Sequence, residues 1–305
     1  LTDRAKAIWL GILIANIFTA GVMLITKYAV EATLDMKGVL ILSDFVLLPM
    51  LMGLINTFFW RKHKVTAGPC FGYGALNLLV GLSYSYFFMG EGYICLIIVA
   101  PLIYLVILLG IAVGKVLFKG RQTTLQISVV AAIASLIAIN AITAQPGENQ
   151  VTDRILIQAP PEVVWQNVTA FPAIDTKPDY WLFRIGLPSP VQSTAEGSYV
   201  GAARQCIFSN GIVFEEKIVE YELNRKLTFD ITQMPNDPEI LGHLELKRGQ
   251  FILEDNGDGT TTLVGTSWYD LKVKPALYFD WWTQDIIRNV HLEVMDHMKQ
   301  LAEQA

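Results

Sequence analysis

Pro275 to Glu303 reads PALYFDWWTQDIIRNVHLEVMDHMKQLAE. After Pro275 it holds neither Gly nor Pro, so nothing interrupts one long helix. On a helical wheel Phe279, Thr283, Ile286, Val290, Val294, His297 and Leu301 form one stripe, flanked by Ile287 and Met298. Asp285, Arg288, Asp296 and Lys299 take the opposite side. The spacing predicts a helix with one buried face. The strands before it have no other long apolar partner, so they are expected to close their core on this helix.

Working back from that helix, the chain reads as a short strand, RILIQAP (154–160), and then a helix opened by Pro160-Pro161-Glu162, since Pro suits a first turn. A Pro-rich irregular region runs through Pro190 and includes Trp181 to Gly186. Alternation then predicts strands at Tyr199–Phe208, Ile212–Tyr221, Lys226–Thr232, His243–Glu254 and Thr260–Val273. Turn signals separate them at Ser209-Asn210-Gly211, at 222–225 and at the DNGDG run 255–259.

The 305 residues are 52% hydrophobic and 17% charged, too apolar for an ordinary soluble chain. Residues 1–150 carry a net charge of +4 and residues 151–305 a net −9. The first half therefore reads as membrane-embedded and the second as an acidic domain long enough for its own core. An acidic domain with no basic stripe argues against nucleic acid. The three cysteines, Cys70, Cys95 and Cys206, show neither disulfide nor metal spacing. The resulting division is a transmembrane helical domain over 1–143, a polar linker over 144–152 and a second domain over 153–305.

A membrane helix needs about 20 mostly apolar residues. Five stretches qualify: Ala7–Lys27, Gly38–Trp60, Phe71–Gly90, Tyr93–Phe118 and Thr124–Ile142. The cut at Gly90-Glu91-Gly92 rests on length and on the turn-forming glycines. Basic residues recur at every other loop: Arg4 and Lys6, then Arg61, Lys62 and Lys64, then Lys115, Lys119 and Arg121. By the positive-inside rule the N-terminus is cytoplasmic, and five spans put the C-terminal domain on the outer side, the periplasm of a bacterial inner-membrane protein. Asp44 inside the second stretch reads as meeting Lys27 or Lys37, or packing against a helix, in preference to an ion site. Asn16, Asn56 and Asn77 are expected to bond between helices, and Gly110-x-x-x-Gly114 to allow close helix packing.

The order strand, APPEVVW (159–165), GSYVGAARQCIFSNG (197–211), FEEKIVEYELNRKLTFDI (214–231), DGTTTLVGTSWYDLKV (258–273) and terminal helix resembles the START-like superfamily. This helix-grip group includes Bet v 1-like proteins, polyketide cyclases/dehydrases and lipid-transport proteins. The resemblance covers 152–305. It implies an α+β domain, a curved antiparallel sheet gripping the C-terminal helix around a hydrophobic cavity. The fold class expected for the whole chain is thus an all-α transmembrane bundle of about five helices followed by that α+β domain.

No Gly-x-Ser-x-Gly elbow, HExxH or Cys/His spacing is present, so the sequence assigns no catalytic residue, no metal and no cofactor. The acidic hairpin residues Glu216, Glu220 and Glu222 alternate with Glu215. They are expected on a solvated sheet face, with one inward carboxylate or a bulge as the alternative. His297, on the apolar stripe, reads as a core histidine. The residues expected to line a cavity are Arg204 and Phe208 from one strand, Phe251 and Leu263 from two others, and Tyr269, which shares a face with Leu263, Ser267 and Leu271. Phe279, Trp282, Ile286 and Val290 complete the set from the helix. Aromatic walls with few polar groups suit a lipid or another hydrophobic small molecule, with Arg204 at a polar end. The expected function is membrane-anchored binding of such a ligand, with its transfer as an extension and the bilayer as a partner. An accessory role beside other membrane-protein subunits, or a cyclase/dehydratase-type activity on the same fold, stays open.

Overall fold

In the computed structural model, residues 2–25, 43–63, 65–118, 149–235, 237, 244–273 and 275–305 are described. The fifth apolar stretch, 124–142, lies outside them, as do residues 144–148 of the linker, Lys27, Lys37, His243 and the side chain of Asp44. The chain divides into a helical unit and an α+β unit.

The helical unit contains α1 (Asp3–Ile25), α2 (Leu48–Trp60, entered through a π-turn at Ser43–Leu47), α3 (Ala67–Tyr84, continued by a π-turn over Ser85–Met89) and α4 (Tyr93–Leu117). Gly90 caps α3's extension at φ 78°, a left-handed conformation that glycine adopts freely, and Tyr93 starts the next helix. The turn read at Gly90–Gly92 is therefore a true break. Among the described residues, only α1 and α4 are long and apolar enough to cross a membrane, and Phe45–Trp60 is a shorter apolar helix. Among the described residues two of the five expected spans are found: α2 is short in the described chain, α3 dilutes its apolar residues with glycine, tyrosine and asparagine, and the fifth stretch lies outside them. The outer placement of the C-terminal domain rested on five spans and loses its support with them.

Close packing in this unit comes from missing side chains. A Cβ on Gly53 of α2 would fall on the backbone of Ile107, Gly110 and Ile111 in α4, and one on Gly110 would meet the Met50 carbonyl. Gly114 gives way to Thr57 in the same manner. The Gly110-x-x-x-Gly114 pair thus lets two backbones touch, the usual route to helix association when burial of apolar surface supplies no drive. Asn16 donates to Asn77 Oδ1 at 2.9 Å between α1 and α3, as expected, whereas Asn56 turns back to the Met52 carbonyl of its own helix.

The α+β unit runs β1 (Asn149–Ile157), α5 (Pro161–Trp165), α6 (Trp181–Arg184), β2 (Pro190–Ala195), β3 (Ala203–Phe208), β4 (Val213–Glu222), β5 (Lys226–Gln233), β6 (Leu244–Asp255), β7 (Thr261–Leu271) and α7 (Ala276–Glu303). All seven strands form one antiparallel sheet in the order β1-β7-β6-β5-β4-β3-β2. β1 begins inside the stretch read as linker. β2 escaped the sequence reading because it is an edge strand that starts on Pro190, carries a register shift before Gln192 and has no apolar alternation.

The inner face can be read across the strands. One row is Val151, Ser267, Gly249, Phe229 and Ile218; the next is Asp153, Gly265, Phe251, Leu227 and Tyr221. α7 lies on this face and buries Thr283, Ile287, His291, Val294, Met295, Met298 and Ala302. The buried stripe is therefore rotated from the expected one: Ile286, Val290, His297 and Leu301 are only half-buried. The two glycines explain the geometry. A Cβ on Gly265 would lie 2.8 Å from Met295 Sδ, so the absent side chain is the seat of the helix. At Gly249 the Phe229 ring occupies the space instead.

Replacing Gly53 or Gly110 with Ile is expected to lower the stability of the helical unit by at least about 2 kcal/mol through overpacking. Gly72→Ile, at a position with nothing within 4 Å of its Cβ, is expected to be neutral. Thermal unfolding of the detergent-solubilised chain compares them. Equal losses at all three positions would rule out the α2–α4 contact as the cause.

Candidate functional site

Between the inner face and α7 the unit holds a partly open cavity of about 90 Å³. Its walls are mainly aromatic: Phe171, Phe208, Phe214, Phe229 and Phe251 all reach it, with Val290 and Val294 from α7. Of the residues expected from the sequence, Arg204, Phe208, Phe251 and Val290 line it. The other five stand elsewhere. Leu263 is fully buried in the main core beside Val294 and Met295. Tyr269 is fully buried and donates its hydroxyl to Asp280 Oδ1 at 2.6 Å. Phe279 packs edge-on to Tyr278, Trp282 sits between the rings of Trp181 and Trp281, and Ile286 is half-buried outside the lining. The apolar face of the N-terminal turns of α7 therefore serves an aromatic cluster and not the cavity.

Two polar groupings interrupt the apolar wall. In the first, Arg204 on β3 and Glu216 on β4 are direct cross-strand neighbours and form a salt bridge. They are 2% and 6% exposed. Arg204 also donates from Nε to the Thr169 carbonyl at 2.9 Å, and its guanidinium lies 4.5 Å from the centroid of the Phe229 ring. Burial pushes the Glu216 carboxyl above the usual carboxylate range, against the pull of Arg204. Burial likewise drives the Cys206 thiol up to about 12, with Glu216 adding to the rise, so Cys206 is an unreactive part of the wall. The inward turn of Glu216 corrects the solvated-face expectation. β4 shifts register between Ile218 and Glu220, which leaves Glu216 inside while Glu220 and Glu222 turn out to solvent.

The second grouping was not assembled from the sequence. His291 of α7, 6% exposed, lies beside Ser267 of β7, with Nε2 2.8 Å from Oγ. Its Nδ1 is 2.9 Å from Asp153 Oδ2 on β1. Arg288 donates from Nε to the other oxygen, Oδ1, at 2.9 Å. Burial works against ionisation of Asp153, but the bonds and charges of His291 and Arg288 outweigh it and hold the carboxyl below its usual range. Ser267 and His291 both line the cavity. The signal available beforehand was Asp153 itself. It shares a face with the inward Val151 and Ile157 on β1, and an inward carboxylate requires a partner. His297, by contrast, stands at the edge, 3.2 Å from the Pro172 carbonyl. Among the described residues, no group of His, Cys, Asp and Glu is placed to hold a metal ion.

The antiparallel sheet, with its first and last strands paired and a long C-terminal helix on its inner face, has the helix-grip architecture that the sequence resemblance implied. Several solved structures match this part of the chain. Norcoclaurine synthase from Thalictrum flavum is 11% identical, with 53% of this chain and 98% of that one covered and a TM-score of 0.37. An aromatase/cyclase from Streptomyces sp. R1128 is 13% identical (52% and 95% covered, TM-score 0.36). An uncharacterized protein from Bacillus thuringiensis is 14% identical (52% and 100% covered, TM-score 0.36). Likeness at this level carries no argument about activity. No family model matches the chain, and no curated protein matches it.

Arg204→Met leaves the Glu216 carboxylate buried without its cation, and the expected cost is about 3–5 kcal/mol. Adding Glu216→Leu is expected to recover most of that loss. Because the folded-state carboxyl of the single variant titrates above its unfolded value, the variant's stability is full at low pH and lost as pH rises through that raised value. Its deficit against the parent chain should therefore shrink as pH falls towards 5, as measured by urea unfolding across pH. A deficit that grows on acidification would contradict the assignment.

Proposed function

We propose that the α+β unit binds a small hydrophobic ligand in the cavity under α7, and that the helical unit anchors it to a membrane. The observation that carries the binding reading is a cavity walled by five phenylalanines with one buried ion pair at its side. Such a wall suits an apolar chain or ring, and Arg204 with Glu216 suits a polar end that both accepts and donates hydrogen bonds. The volume limits the reading. A 150 Å³ apolar cavity accepts about one benzene ring, so 90 Å³ admits a small ring or the end of a chain. A longer ligand enters by displacing half-buried wall residues such as Phe208, Ile231 and Val290.

Several features support the anchor. α1 and α4 are long and apolar enough to cross a bilayer, and α1 presents Trp9, Leu13, Ile17 and Ile25 on an exposed apolar side. Lys115 at the end of α4 donates to the Val65 carbonyl between α2 and α3, which brings it to the same end of the bundle as Arg61 and Lys62. Basic residues gathered at one end favour a cytoplasmic position for that end. In the α+β unit Leu277 and Trp281 are 89% and 62% exposed, side chains suited to the bilayer interface.

Native mass spectrometry on the full chain, extracted gently from its own membranes, tests the binding reading. A defined mass should travel with the protein, be recovered by lipid extraction, and be lost on Val290→Trp, which fills the cavity while α7 stays seated on Gly265. An empty parent chain, or a ligand equally retained by Val290→Trp, would sink the cavity as its site.

A further inference from the structure

Ser267, His291 and Asp153 come from three elements, β7, α7 and β1, and form one hydrogen-bonded line ending at the cavity. The line has a direction. The Asp153 carboxyl is held ionised, and an ionised carboxylate only accepts hydrogen bonds. The proton between the two groups therefore sits on His291 Nδ1. In the neutral ring Nε2 is then a bare acceptor, and the hydroxyl 2.8 Å away must donate to it. Arg288 on the far oxygen of Asp153 holds the carboxylate in place. These are the roles of a nucleophile, a base and the group that orients the base, which are recognised by geometry and not by order in the chain.

Resting on the binding reading above, we propose that Ser267 is a nucleophile activated by His291 and positioned by Asp153, and that the ligand class includes carboxylic esters or thioesters with a small apolar acyl group. The acyl group lies among the phenylalanines with its carbonyl carbon at Ser267 Oγ. The Oγ–C bond forms as the hydroxyl proton passes to His291 Nε2. The tetrahedral adduct collapses, the bond from carbon to the leaving oxygen or sulfur breaks, and His291 returns the proton to the departing alcohol or thiol. Water then attacks the acyl-serine, giving its proton to His291. The Oγ–C bond breaks, the carboxylic acid leaves, and Ser267 regains its proton.

The test uses the full chain in detergent and two probes, phenylmethylsulfonyl fluoride and p-nitrophenyl butyrate. The sulfonyl fluoride should label Ser267, identified by peptide mass, with fluoride released, and the butyrate ester should be cleaved. Ser267→Ala should abolish both. Asp153→Asn, which removes the fixed Nδ1–H tautomer, should slow both by at least about 100-fold. A purely structural role for the cluster predicts a lower melting temperature in these variants but no labelling in the parent chain. The proposal is overturned if the parent chain, shown by native mass spectrometry to hold its co-purifying ligand before extraction, stays unlabelled on Ser267 afterwards. It is equally overturned if Asp153→Asn labels at the parent rate. A chain that neither labels nor carries a ligand lost on Val290→Trp would remove both this proposal and the binding reading.

Discussion

The α+β unit depends on one close approach, that of α7 to β7 at Gly265. The distance of a helix from a sheet is set by the side chains between them. Here the absent side chain lets Met295 sink to the strand backbone. That seat fixes the rotation of the helix. With Met295 down, Ile287, His291, Val294 and Met298 must also face the sheet, one to two turns either side. His291 is brought beside Ser267, two residues along β7 from Gly265, and beside Asp153, which pairs with Gly265 on β1. The polar line at the cavity is therefore a consequence of where a single glycine sits.

The same seat makes the cavity. Gly249 on the adjacent strand leaves a second gap, and Phe229 leans into it. The space that remains is lined from the sheet side by Phe208, Phe214, Phe229 and Phe251 and from α7 by Val290, His291 and Val294. Two low-exposure carboxylates are paired: Glu216, in the cavity wall, with Arg204, and Asp153, behind His291, with the exposed Arg288. A lone buried ion would cost several kcal/mol. Placing each partner on a different element turns these pairs into ties between β3 and β4 and between β1 and α7.

Much of this was legible in the sequence, and the failures share a cause. The terminal helix and six of the seven strands follow from periodicity and turn chemistry. The face of the helix did not. A wheel ranks residues by apolarity, and Ile286 and Val290 outrank His291. Yet Ile286 and Val290 are only half-buried, and His291 lies buried against the sheet. Hydrophobicity stops reporting burial where a wall faces empty space, and polar residues become core residues where partners on other strands satisfy them. Glu216 was hidden for a related reason. Its alternation was readable, but the bulge that separates it from Glu220 appears only in the pairing of β4 with β5. In the helical half, apolar stretches read from composition include α3, whose glycines, tyrosines and asparagine leave it short of a span among the described residues.

The modest cavity and the apolar helices make sense together if the ligand is held mainly by its surroundings. A few buried methylene groups contribute about 0.8 kcal/mol each, and association costs several kcal/mol in lost freedom. A cavity of about 90 Å³ therefore binds weakly from dilute solution. On the proposed anchoring, the domain would sample amphiphiles already concentrated in a bilayer, and effective concentrations over short linkers reach about the millimolar range. Weak intrinsic binding is then sufficient for occupancy, and it permits release. It also suits a site that acts on what it holds, since tight binding of the ground state adds nothing to turnover once the site is filled.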